Sequence, residues 1–183
     1  TASESDVTLE LSAGGGDVET ATSSLLAGLP AGSWLGVGLA DIGAAVEQGI
    51  ESVGSSGAGV DAETIRRQIQ AQVGIDIQRE VIDALGDAGL YVEGTTVEDL
   101  SGGLVIQSKD PSASAELINN VQDLISQQAS PRNVRVQPLA SAGGDQGFQL
   151  ADPSGELSQP IQVVQHDDKI VIGYGRRGVQ QAL

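Results

Sequence analysis

The sequence predicts an α+β fold, with a twisted, mainly antiparallel sheet that carries its helices packed on one face. Three observations predict it. Short runs with apolar residues at every second position have the period of half-buried strands. Helical patterns, with apolar residues three and four apart, are grouped between those runs. From Val134 to Ile172 strands follow one another without intervening helices, which a doubly wound parallel sheet would require.

The elements follow in order. Val7, Leu9 and Leu11 alternate with polar residues and read as a strand, ended by the Gly14–Gly16 run. Ala21 to Leu29 reads as a short helix stopped by Pro30. Residues 1–28 form a leading strand and linker, or the end of a preceding repeat. Residues 29–183 form the α+β domain, expected to be truncated at its C-terminal end. In the next strand Leu35, Val37 and Leu39 line one face. Trp34, Gly36 and Gly38 line the other, where the two glycines leave room for another backbone or an apolar ligand. Asp41 is placed to cap a helix over 42–53, and 54–59 read as a loop. Asp61 caps a helix bearing Ile65, Ile69 and Val73, interrupted by Gly74. Asp76 restarts a helix through Leu85, with Ile77, Val81 and Leu85 four apart, and Gly86 ends it.

The clearest signal runs from Asp87 to Ala129. Leu90 and Val92 pair with Leu104 and Ile106 in a hairpin. Asp110 and Pro111 then supply an N-cap and a first-turn proline. The helix that follows buries Leu117, Ile118, Val121, Leu124 and Ile125. Glu93, Gln107, Asn119 and Gln122 are expected on the solvated or partner-facing surface of this hairpin and helix. Val134 and Val136 make a strand, 140–147 a loop, Phe148 and Leu150 a strand, and 152–155 a turn. Residues 161–164 and 169–172 form a hairpin about His166, Asp167 and Asp168. Gly178 to Leu183 reads as the start of a helix.

Composition narrows the function classes. Only 2% of residues are aromatic, so the core is built from aliphatic side chains and base-stacking platforms are excluded. The charge of −16, from 25 acidic and 9 basic residues, repels phosphate backbones and argues against nucleic acid. With no Cys there are no disulfides and no thiolate chemistry. With no Met the chain reads as a processed form or an excised piece, and no run is long and apolar enough to span a bilayer.

Candidate chemistry is sparse. Gly173, Gly175 and Gly178 follow a strand, as in a dinucleotide-binding turn. No acidic residue lies about twenty positions on to hold a ribose, so the segment reads as a structural turn. Gly175, Arg176, Arg177 and Gly178 remain a weak anion site. His166, the only histidine, reads as a hairpin tip. The carboxylate groups Asp83/Asp87, Glu93/Glu98/Asp99 and Asp167/Asp168 lack the spacing of a calcium loop. Ser33, Ser101 and Ser141 lie by glycines without a nucleophile elbow. Arg66 and Arg67 read as the solvated face of their helix. No cofactor and no metal are expected.

Three segments together carry a family resemblance. Leu29-Pro30 precedes a strand and Asp41. Gly74, Ile75 and Asp76 lead to Leu85, Gly86 and Asp87. A second hairpin strand then runs into Lys109, Asp110 and Pro111. Over roughly 29–183 this resembles a bacterial family of secreted proteins and predicted lipoproteins, classed only as a domain of unknown function (number 3352). Asp83-Ala84 stands where that family has an aromatic residue. The resemblance implies an extracytoplasmic location with a membrane anchor upstream of Thr1, and brings no catalytic residues.

The expectation is a non-enzymatic, envelope-associated module for protein interaction or structure, with an unknown protein partner. The first alternative is a carrier of an apolar ligand such as a lipid, held beside Trp34, Gly36 and Gly38. The second is an enzyme or nucleotide binder at 173–178.

Overall fold

Alternating apolar residues and tight turns generate a seven-stranded antiparallel sheet in the order β1-β2-β3-β7-β6-β5-β4. The strands are β1 Leu35–Leu39, β2 Leu85–Glu93, β3 Ser101–Ser108, β4 Arg135–Pro138, β5 Gln146–Ala151, β6 Ile161–His166 and β7 Lys169–Tyr174. The helices are α1 Ile42–Ser55, α2 Ala62–Val73 and α3 Pro111–Ala129. This computed structural model describes residues 23–55, 61–96, 99–129, 134–139, 145–153, 159–175 and 177–183. The expected strand at Val7–Leu11, the expected loop residues 56–59, 140–144 and 154–155, and the candidate residues Glu98 and Ser141 lie outside them. One continuous sheet from β1 to β7 bears out the α+β expectation.

Capping sets the helix starts. Asp41 takes a left-handed φ of 41°, which Asp tolerates, and its Oδ1 accepts the Ala44 N–H at 3.0 Å. Asp61 Oδ1 accepts the Thr64 N–H at 2.8 Å, and Gly74 closes α2 at φ 76°. Asp110 Oδ1 accepts the N–H groups of Ser112 and Ala113 at 2.9 and 3.1 Å.

The face behind the helices carries the larger core. Leu85, Ala88, Ile106, Phe148 and Ile170 from the sheet meet Ile118 of α3, with Ile42, Leu117, Val121 and Ile125 packed around them. The opposite face holds Tyr91, Val105, Val164 and Val171. Two segments of the chain cover it, one around Leu25 and Leu29 and the other around Val179 and Ala182.

Several expectations are corrected. The helix over Asp76–Leu85 is a π-helix confined to Ile77–Ile82, with the Asp83 N–H bonded to the Gln78 carbonyl at 2.9 Å. Leu85 and Gly86 belong to β2, where Leu85 pairs with Ser108 before a register shift. Leu85 still reaches the core, but from a strand, so a fourfold spacing misled. In the described part of Ala21–Leu29 the backbone forms only a 3₁₀ turn, Leu26–Gly28. Gly54 and Ser55 extend α1 instead of opening a loop. In the hairpin Leu90 does face Leu104, but Val92 faces Gly102 and Ile106 faces Ala88. The end of the chain forms hydrogen-bonded turns, with the N–H groups of Ala182 and Leu183 both bonded to the Val179 carbonyl.

Glu93 is also buried, not solvated. It ends β2 on the Tyr91 face, beside Gly32, where a Cβ would lie 3.3 Å from Glu93 Oε1. Another buried acid, Glu80, is turned inward by the π-helix. Its oxygens accept Asn120 Nδ2 at 2.9 Å and Arg79 Nη2 at 3.3 Å.

Candidate functional site

The strands alternate, so Leu90 and Val92 of β2, Gly102 and Leu104 of β3, Ile172 and Tyr174 of β7 and Ile161 of β6 share the helix-bearing face. The helices pack over the end of that face carrying Ala88, Ile106 and Ile170. At the other end the same side chains wall an open trough of about 340 Å³. Its wall is almost wholly apolar, and among the described residues no charged one lines it. Gly102 contributes no side chain on the strand that crosses it. Leu90, at 40% exposure, is the most open of its large side chains. Leu35 of β1 pairs with Val92 and extends the apolar face toward the sheet edge. The trough can hold an apolar side chain or chain segment. Among the described residues its lining holds hydroxyl groups but no carboxylate, histidine or cationic side chain.

The glycine strand takes a different role. Gly36 pairs with Tyr91 and Gly38 with Gly89, on the face opposite the trough. A Cβ at Gly38 would stand 2.8 Å from Ser23 Cβ, and one at Gly36 would stand 3.3 Å from Leu29 Cδ1. The close approach expected there is made by this chain's own 23–29 segment. The room proposed for a ligand beside Gly36 and Gly38 is therefore filled by Ser23, Leu26 and Leu29. Trp34, 63% exposed, remains an open surface residue.

Asp87 fastens this segment. Its Oδ2 accepts the N–H and Oγ of Ser24 at 2.8 and 2.9 Å, and its Oδ1 accepts the Asp41 N–H at 3.1 Å. Lys109 Nζ donates to both Asp41 oxygens at 2.8 and 2.9 Å. The Ser24 and Asp41 backbone donors hold the Asp87 carboxyl below its usual range. Lys109 and the Ala44 N–H do the same for Asp41.

The expected anion segment is built for packing. β7 lies between two antiparallel neighbours, so no βαβ unit starts there. Gly175 takes φ 82° and its N–H bonds to the Pro160 carbonyl at 3.1 Å. The Gly178 N–H bonds to the Gly175 carbonyl at 3.3 Å. The Gly178 carbonyl accepts the buried Tyr91 hydroxyl. Both glycine N–H groups are thus taken by the protein. Arg177 is exposed, and Arg176 lies outside the described residues.

His166 sits at the hairpin tip as expected, but with a partner no sequence spacing indicates. Its Nδ1 lies 2.7 Å from Asp145 Oδ1. That hydrogen bond, with the Asp145 charge, raises its pKa above the ordinary histidine value. In each of the candidate carboxylate groups at least one member is separately engaged, and Glu98 lies outside the described residues. Asp83 accepts Gln78 Nε2 at 2.9 Å, Asp99 Oδ1 accepts the Thr96 N–H at 2.6 Å, and Asp168 accepts Gln107 Nε2 at 2.6 Å. Among the described residues no group of three or more metal-ligating side chains comes together, and no helix is long and apolar enough to cross a membrane.

Sequence reasoning missed the trough because alternation says which residues share a face, not how far the helices reach along it. The usable signal was Gly102-Gly103, a glycine pair in a strand otherwise fit for a sheet interior. Comparison of the chain with protein-family models, with curated proteins and with solved structures returned no match.

Proposed function

We propose that the chain is a non-enzymatic, extracytoplasmic module of the cell envelope that binds a partner protein through the open apolar end of its sheet. The observation that carries this reading is the trough walled by Leu90, Val92, Leu104, Ile161, Ile172 and Tyr174. An apolar recess of this size on a chain of charge −16 is a place where water is displaced at a profit and charged surfaces are not. Asp83, Asp87, Asp99, Asp168 and His166 are engaged in holding turns and segments together, which supports a binding role over a catalytic one. The envelope location rests on the family resemblance, which also implies an anchor upstream of Thr1.

A photo-crosslinking side chain placed at Leu90, in cells that make the full-length protein, tests the reading. It should give one discrete protein adduct, with none from the same group at Asn119 on α3. Equal labelling from both positions, or none from either, rejects it. Cell fractionation checks the location.

A second reading, a carrier of an apolar ligand such as a lipid, is favoured by the uncharged wall of the trough. Native mass spectrometry of freshly purified protein should then show a bound mass that Leu90→Glu removes. The bare chain mass alone rejects it.

A further inference from the structure

A second recess, of about 280 Å³, lies on the same side of the sheet but at the turn between β6 and β7, beneath the start of α3. It is lined by Pro111, Ser112, Ala115, Gln146, Gln165 and Asp167. Unlike the trough, its lining is mostly polar. Gln165 is only 8% exposed, and its Nε2 donates to the Pro111 carbonyl at 2.8 Å. That carbonyl can only accept, so the amide orientation is fixed and Oε1 is left as an acceptor. Oε1 is shut off from solvent and has no hydrogen-bond partner among the described residues, so a donor in the recess reaches it only through a small outward movement of the Gln165 side chain. A buried acceptor without a donor costs about 1–3 kcal/mol, so something that donates is expected to satisfy it.

The surroundings select the donor's charge. A helix start normally favours anions. Here Asp110 Oδ1 already takes the N–H groups of Ser112 and Ala113, and the Ser114 N–H goes to the Asp110 carbonyl at 3.0 Å. The helix end is closed to an incoming anion, and the cap itself carries a carboxylate. Asp167 adds a second carboxylate at the rim, held there by a left-handed φ of 50°. Among the described residues no cationic side chain lines the recess. His166 Nε2 is 3.7 Å from Asp167 Oδ2, and its Nδ1 is bonded to Asp145. Ser112 and Gln146 supply further oxygen acceptors.

We propose that this recess binds a primary ammonium group, with Gln165 Oε1 as the buried acceptor and Asp167 as the counter-charge. The group can come from a free alkylamine or from a lysine side chain, and the two share one recognition chemistry. The net charge of −16 raises the local concentration of either. The site is independent of the trough and does not rest on it.

The test is a titration of the ¹⁵N-labelled chain at constant ionic strength with propylammonium, with Nα-acetyl-lysine amide and with tetramethylammonium. The last has the charge but no N–H donor. Shifts of the Gln165 side-chain amide that saturate with propylammonium, the lysine amide or both support the site, and which of them binds names the source. Gln165→Met should weaken binding by about tenfold or more, as loss of a hydrogen bond to a charged group does. Equal response to tetramethylammonium, or no saturable shift with either amine, overturns the proposal by leaving only diffuse cation attraction. That comparison uses the unaltered chain, so it decides even if Gln165→Met does not fold.

Discussion

Gly43 and Gly49 lie in the same helix, and substituting each by alanine should move stability in opposite directions. In α1 the substitution gains helix propensity at either position, about 0.5–1 kcal/mol. At Gly49 the new Cβ meets nothing within 4 Å, so that gain is the whole effect. At Gly43 the Cβ would stand 2.1 Å from the Ile82 carbonyl oxygen and 2.9 Å from that of Leu85. Both obstacles are backbone, at the end of the π-helix and the start of β2, and neither can rotate away. Relief requires α1 to move from the core that Ile42 shares with Leu85 and Ile106. Overpacking of this kind costs about 1–3 kcal/mol, and more where the backbone is fixed. Gly43→Ala should therefore lose up to about 2.5 kcal/mol net while Gly49→Ala gains up to about 1 kcal/mol. Urea unfolding followed by far-UV circular dichroism measures both, with the slope unchanged between variants. At about 2–4 °C per kcal/mol for a chain of this length, melting temperatures should separate by several degrees. If the two variants agree within about 0.5 kcal/mol, the contact between α1 and the π-helix is not what Gly43 is for.

Other outcomes follow from the polar contacts. Asp87 has a lowered pKa, so its contribution is present above the ordinary value of 3.8 and is lost as pH falls through the folded value. Thermal melts from pH 7 to pH 3 should show that loss below about pH 4, and Asp87→Asn should start lower and flatten it. His166 has a raised pKa, so its contribution is full below 6.5 and lost as pH rises through the folded value. A histidine ring titration by NMR should place it above 6.5 and return it toward that value in Asp145→Asn. Tyr91→Phe leaves the Gly178 carbonyl without its hydroxyl donor and should cost about 1–3 kcal/mol in denaturant unfolding. The Tyr91 phenol, pushed up to about 12 chiefly by burial, should be missing from the ordinary tyrosine step in an alkaline absorbance titration.

Much of the fold was legible because it is written locally. Asp61 with Gly74, Asp110 with Pro111, and the turn at Asp167-Asp168 fix element ends through chemistry within a few residues. The failures occurred where distant contacts decide. Ile77, Val81 and Leu85 have helical spacing, but the close approach at Gly43 and the Leu85–Ser108 pairing end the helix early. Gly36 and Gly38 correctly announced a close neighbour. Nothing local said that the neighbour would be Ser23 to Leu29, held by an aspartate 63 positions from Ser24. Gln165 is worse still, because its bond to Pro111 spans 54 positions and only the folded chain shows an amide oxygen left over.

Where the charged groups are spent decides which surfaces can do something else. Lys109 is committed to Asp41, Asp87 to the covering segment, Arg79 to Glu80 and Glu116, and His166 to Asp145. Substituting these acids one at a time should therefore change stability or local order and leave binding at the trough untouched, since none of them lines it. The trough responds to a different perturbation. Covering a side chain such as Leu90 is worth on the order of 1–2 kcal/mol, and Leu90→Glu would add a carboxylate that must be desolvated on contact. Because Leu90 is 40% exposed and the rest of it is buried, that substitution should cost no more than about 1–2 kcal/mol, a melting temperature lower by several degrees, while abolishing any apolar association. A variant that failed to fold at all would mean that the trough is part of the core, and its opening would carry no function.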